Sequence, residues 1–110
     1  MAFAPVTFQA QVDINGNPVE PTGVAAIAAA AGTTVLKSGP GRVARVTVTG
    51  AGTATDNATI YDNTAGSGTV IATILGGTAV GTSFSFDAPV ANGVTVVNVA
   101  SGPAFTITYS

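Results

Sequence analysis

The sequence predicts an all-β chain: an antiparallel β-sandwich, jelly-roll-like, of about seven to eight short strands behind an N-terminal arm. Three observations predict it. From residue 33 onward, apolar and polar residues alternate with a period of two, which is the side-chain period of a strand. Turn residues recur roughly every eight to twelve positions, the spacing of a sandwich or barrel. The connections are too short for the crossovers that parallel strands require, so the sheets are antiparallel.

Residues 1–22 read as an arm or edge strand, distinct from a sandwich domain of residues 23–110. In the arm, Thr7, Gln9 and Gln11 alternate with Phe8, Ala10 and Val12 over a strand-length run. Asp13-Ile14-Asn15-Gly16-Asn17 then supplies a turn, because Asn-Gly accepts positive φ. Pro18 and Pro21 interrupt regular pairing. Residues 24–31 are alanine-rich, which favours helix by propensity. Gly23 and Gly32 bracket the run at strand length, and it is read as a strand.

Residues 33–37 form the next expected strand, and Ser38-Gly39-Pro40-Gly41 a hairpin turn. Residues 42–49 follow, with Ala44, Val46 and Val48 expected on one face. After a loop at 50–57 come a strand at 58–61, a turn at 62–68 and an apolar strand at 69–75 expected to be buried on both faces. Ser83-Phe84-Ser85-Phe86 places both rings on one face, and Asp87-Ala88-Pro89 is expected to close that strand. Residues 93–99 and 104–109 complete the set. The expected core is Val46, Val48, Ile60, Val70, Ile74, Phe84, Phe86, Val94, Val96, Phe105 and Ile107, each large side chain contributing about 1.5–3 kcal/mol on full burial.

The chain carries three basic and five acidic residues, with no His and no Cys. A catalytic centre needs groups that titrate, attack or bind a metal near neutral pH, and these are nearly absent, so no enzyme is expected. Lys37 has no orienting group beside Ser38 for nucleophilic chemistry. Asp13, Asp56 and Asp62 do not give the spacing or closing Glu of a calcium loop. Asp62 and Asn63 are expected to bond their own turn. No metal and no cofactor are therefore expected. A formal net charge of -2 with three basic residues disfavours nucleic acid as a partner. No segment has the length of a membrane span, and residues 1–5 lack the basic start of a secretory signal. With 7% charged residues, the surface has little repulsion to keep copies apart. Much of it is expected to lie against other protein.

The candidate contact residues are Phe3, Val6, Phe8 and Val12 in the arm, together with Lys37, Arg42 and Arg45, the only basic residues. If residues 38–41 make a tight hairpin, Lys37 and Arg42 oppose each other at its mouth. Like charges so placed destabilise a pair and invite a partner's carboxylates. Arg42 and Arg45, three apart on a regular strand, would point to opposite faces.

The run Thr59-Ile60-Tyr61-Asp62-Asn63-Thr64-Ala65-Gly66-Ser67-Gly68-Thr69-Val70-Ile71-Ala72 resembles a pattern common in small structural proteins of tailed bacteriophages. The stretches at 35–43, 91–97 and 105–109 extend the resemblance from about residue 33 to the C-terminus. It implies a β-sandwich or jelly-roll virion protein, of capsid decoration (cement) or head-fibre type. The decoration reading implies a partner in the major capsid protein, a place on the outer surface of the capsid and a homo-oligomer, dimer or trimer. The alternative is a receptor- or carbohydrate-binding module of a head or tail fibre.

Overall fold

A computed structural model describes residues 23–110. They form eight antiparallel strands and no helix: β1 (Gly23–Ile27), β2 (Gly32–Ser38), β3 (Gly41–Gly50), β4 (Ala58–Asp62), β5 (Thr69–Ile74), β6 (Ser83–Val90), β7 (Gly93–Asn98) and β8 (Ala104–Tyr109). Two four-stranded sheets run in the orders β1-β8-β3-β6 and β2-β7-β4-β5. The pairing is nested. β4 pairs with β5, β3 with β6, β2 with β7 and β1 with β8, as though one long hairpin had been rolled over on itself. Consecutive strands therefore mostly change sheet, and the β-sandwich expected from the turn spacing is what forms.

Each sheet buries one face, and the ladder places the buried residues in rows. Across the first sheet Ala25, Ile107, Val46 and Phe84 stand side by side. Across the second, Thr34, Val96, Ile60 and Ala72 do so. Ile27, Val43, Val48, Ala58, Ile74, Val90, Val94 and Phe105 complete the core with the central members of those rows. β-branched residues dominate it because they pack well on a pleated surface. Phe84 and Phe86 are half-buried at the β6 edge, their rings stacked with centroids 6.1 Å apart.

Most of the expected core is buried, with one error. Val70 is 51% exposed, because β5 is an edge strand and not a two-sided interior one. An apolar run does not by itself reveal which face meets water. The strand expected over 24–31 stops at Ile27. Residues 28–31 turn instead, with Ala30 at φ 64° and its N–H donating to the Val99 carbonyl at 2.8 Å. β6 does not close at Asp87-Ala88-Pro89 but runs through to Val90. An edge strand tolerates Pro89, and Asp87, at φ 47°, absorbs an irregularity in the ladder.

Two further expectations fail for reasons of topology. Residues 38–41 are not a hairpin, since β2 and β3 belong to different sheets. Gly39, at φ 97°, takes the chain from one sheet to the other, and its N–H donates to the Asn92 carbonyl at 2.9 Å. Ala44 does not share the buried face of Val46 and Val48. It is bulged out of the ladder with β8, and Val43 takes the inward place.

Candidate interaction surface

The nested order gathers the loops at two ends of the sandwich. The β1–β2, β3–β4, β5–β6 and β7–β8 connections meet at one end, tied by Ala30 N–H to Val99 O, Gly52 N–H to Gly76 O and Thr53 N–H to Ser101 O at 2.7–2.8 Å. Asn98, 2% exposed, donates from Nδ2 to the Ala28 and Pro103 carbonyls at 3.0 and 2.8 Å. The Asn57 side chain accepts the Gly76 N–H at 3.0 Å. This end is apolar and small: Leu75, Val80 and Val99 are exposed there, as are the alanines of the β1–β2 turn. Its charged group among the described residues is the half-buried Asp56.

The other described charges, Lys37, Arg42, Arg45, Asp62 and Asp87, lie toward the opposite end. There Asp62 closes β4 and reaches the β6–β7 turn. Its Oδ1 accepts the N–H groups of Asn92 at 2.8 Å, Ala91 at 3.1 Å and Gly93 at 3.3 Å, and Oδ2 also accepts from Ala91 at 3.1 Å. The Asn92 and Ala91 bonds, with a smaller contribution from Gly93, hold the carboxyl below its ordinary pKa against a weaker opposing effect of desolvation. Asp62 thus bonds a neighbouring turn rather than its own. Asn63 behaves as expected, donating to the Ser67 carbonyl at 2.8 Å and accepting the Thr64 N–H at 2.8 Å. The Thr95 hydroxyl donates to the Asn63 carbonyl at 2.6 Å, and Gly66 lies against Val97 and Thr33. Residues 63–68 therefore fold back over the outer face of the second sheet.

The outer face of the first sheet carries no such cover among the described residues. Its rows are Val24, Thr108, Arg45 and Ser85, then Ala26, Thr106, Thr47 and Ser83. Strands in a sheet lie about 4.8 Å apart, so these rows set short hydroxyl and methyl groups side by side, with Val24 and Arg45 as the larger members. Thr47 and Ser83 share a hydrogen bond at 3.0 Å, and the Thr108 hydroxyl donates to the Arg45 carbonyl at 3.4 Å.

The expected basic patch is redistributed over this surface. Lys37 stands opposite Val94 in the second sheet, and its side-chain carbons lie across Gly41. It does not face Arg42. Arg42 instead donates from Nη1 to the Asp87 carboxylate and to the Asp87 carbonyl, both at 2.9 Å. Asp87 carried no signal as its partner in the sequence, being 45 residues away. Arg42 and Arg45 do not point to opposite faces. With Ala44 bulged between them, both are exposed on the outer face of β3 while Val43 and Val46 are buried. Phe3, Val6, Phe8 and Val12 lie outside the described residues.

Among the described residues no group of three His, Cys, Asp or Glu side chains could hold a metal. Every described aromatic residue is buried or half-buried, and the large apolar side chains that are exposed are aliphatic. No protein-family model, curated protein or solved structure matches this chain.

Proposed function

We propose that this chain is a non-enzymatic virion structural protein of a tailed bacteriophage. In this reading it is a capsid decoration (cement) protein that binds the outer face of the major capsid lattice and stabilises the head. The nested strand order is read as a jelly roll. The observation that carries the reading is the outer face of the first sheet, an uncovered field of Thr and Ser rows in which Arg45 stands between Thr108 and Ser85, next to the Arg42–Asp87 ion pair. Such a face suits contact with another protein surface. It offers many short hydroxyls for hydrogen bonds across an interface and, with Arg42 already paired to Asp87, the Arg45 cation to fix orientation against a carboxylate. The arm, with Phe3, Val6, Phe8 and Val12, supplies the second contact, and Lys37 flanks the first. Contacts to more than one lattice subunit gain strength through effective concentration even when each is weak. The reading includes repeated copies on a lattice, as dimers or trimers, and the low charge of the chain leaves little repulsion to oppose them.

The rival reading, a receptor- or carbohydrate-binding fibre module, calls for exposed aromatic rings to stack on sugars, and the described surface presents aliphatic side chains in that role. The test is to add purified protein to heads that lack it and follow sedimentation and the temperature of DNA release. Binding that raises this temperature, lost in Arg45→Glu, supports the proposal. Protein that stays free of heads but adheres to host cells or their polysaccharide overturns it in favour of the fibre reading.

A further inference from the structure

Asn92 is the one asparagine among the described residues that is followed by glycine. An Asn-Gly pair is open to a spontaneous backbone reaction, because glycine has no Cβ to hinder approach to its own nitrogen. The Gly93 nitrogen attacks Asn92 Cγ. A bond forms between them, the Cγ–Nδ2 bond breaks, and ammonia leaves carrying the Gly93 proton. Water then opens the cyclic imide at either carbonyl, leaving an aspartyl or isoaspartyl residue at position 92. Asn92 lies in the turn between β6 and β7 and is itself exposed.

The fold nevertheless holds the peptide group that this reaction must move. The Asn92 carbonyl accepts the Gly39 N–H at 2.9 Å, and the Gly93 N–H donates to Asp62 Oδ1 at 3.3 Å. The peptide plane between the two residues is thus anchored at both polar edges. The Asn92 N–H is anchored as well, donating to the same Oδ1 at 2.8 Å. Gly93 is buried, and packed so closely that a Cβ there would meet the carbonyl oxygens of Lys37 and Asn63. Ring closure needs this plane to turn until the Gly93 nitrogen faces Asn92 Cγ. It also needs that nitrogen to lose its proton, and a carboxylate that accepts the N–H opposes the anion left behind.

We propose that Asn92–Gly93 is a latent deamidation site and that Asp62 keeps it closed, by accepting the Gly93 N–H and setting a negative charge against its nitrogen. Asp62 is a positioning residue here, since it takes no part in the bonds made or broken. Its carboxyl, held below its ordinary pKa by the Asn92, Ala91 and Gly93 N–H groups, is a weak base. It therefore fences the nitrogen rather than drawing off its proton. Opening the site has a structural consequence. Residues 91–92 carry the chain from the first sheet to the second. An isoaspartyl linkage puts one more carbon into the backbone there and displaces the bonds to Gly39 and Asp62. Position 92 is then where the charged end of the sandwich loosens with age.

Incubation of the full-length protein at mildly alkaline pH tests this, with peptide mapping by mass spectrometry to separate position 92 from Asn15, the other asparagine followed by glycine. In the folded protein, deamidation at 92 is expected to be at least about tenfold slower than in the same chain unfolded in guanidinium. Equal rates overturn the proposal. Asp62→Asn keeps an acceptor oxygen but removes the charge, and should speed the reaction at 92 at least about tenfold, the effect of one unit in the pKa of the attacked N–H. Hydrogen exchange of the Gly93 amide, which reads the same proton loss, should rise with it. An unchanged rate in Asp62→Asn overturns the guarding role, and a slower one would mean that Asp62 serves as a base. Gly76→Ala is the control for stability alone, because it disturbs the opposite end and leaves Asp62 in place. It is expected to deamidate at 92 much as the unmodified protein does. A rate matching that of Asp62→Asn would assign the protection to folding as a whole and overturn the assignment to Asp62.

Discussion

Arg42 and Arg45 present their side chains on the same face of β3 because Ala44 is bulged out of the ladder between them. A bulge inserts one residue into a strand and shifts the inside-outside alternation beyond it. Here it allows Val43 and Val46 to be buried three positions apart. As a consequence the two cations sit together outside. Their roles nevertheless differ. Arg42 is tied to Asp87 and clamps the irregular part of β6, whereas Arg45 stands in the hydroxyl field between Ser85 and Thr108.

Arg45→Glu is expected to leave thermal unfolding unchanged, as for most surface substitutions. In the proposed decoration role, head binding should weaken at least about tenfold, which corresponds to about 1.4 kcal/mol. Differential scanning fluorimetry and co-sedimentation separate the two effects. Loss of binding together with a fall in Tm would mean that Arg45 holds the sheet rather than a partner.

Arg42→Ala is expected to cost less than about 1 kcal/mol. The side chains of Arg42 and Asp87 are 47% and 82% exposed, and exposed ion pairs contribute little after solvent screening. Urea unfolding at low and high salt measures it. A loss above that limit would show that the bond to the Asp87 carbonyl, and not the ion pair, fixes the β6 edge.

Asp62 makes stability depend on pH with a definite sign. Its folded-state pKa is lowered by the Asn92, Ala91 and Gly93 N–H groups. Its stabilisation is therefore fully present above the unfolded-state value near 4 and is lost as pH falls through the lower folded value. Asp62→Asn removes this dependence. Urea midpoints of the two proteins should differ at neutral pH and converge in acid. Curves that stay parallel down to about pH 2 would show that the β6–β7 turn does not need the charge.

These features were unequally legible in the sequence. Strand identity was readable from local patterning, so Ile60, Val94, Val96, Phe105 and Ile107 fell on the buried face as their alternation required. Sheet membership was not, because it depends on which strands lie side by side. Hence Lys37 and Arg42 were set against each other across a hairpin that is a crossing between sheets. The positions of Ala44, Val70 and Asp87 depended on bulges and edges, which arise from the fit between strands distant in sequence. Asp62 could be recognised as a turn residue, but its real partners are about thirty residues downstream.

Asn98 is expected to be the most sensitive polar position at the apolar end. Asn98→Ala leaves the Ala28 and Pro103 carbonyls without their donor; the Pro103 bond is the buried one, and an orphaned buried acceptor costs about 1–3 kcal/mol. Asn98→Asp should be worse, since it places a carboxylate oxygen against two carbonyls. Chemical denaturation of both variants checks the order. Equal losses would mean that shape at this site matters more than the donated hydrogen bonds.

Gly76 and Gly77 offer a matched pair at the same end. A Cβ on Gly76 would be driven into the carbonyl oxygens of Thr53 and Asp56, which are backbone atoms that cannot rotate away. A Cβ on Gly77 would meet Ala54 Cα and Cβ at 3.5 Å, an ordinary contact. Gly76 also carries the hydrogen bonds from Gly52 N–H to its carbonyl and from its own N–H to Asn57, so moving it disturbs the β3–β4 connection as well. Gly76→Ala is therefore expected to destabilise by about 1–3 kcal/mol, the range for overpacking. Gly77→Ala should stay within about 0.5 kcal/mol, as at unconstrained surface positions. Urea midpoints of the two variants decide it. If Gly76→Ala were as stable as Gly77→Ala, the two loops would have to be able to separate at little cost, and the close packing of the apolar end would not be a requirement of the fold.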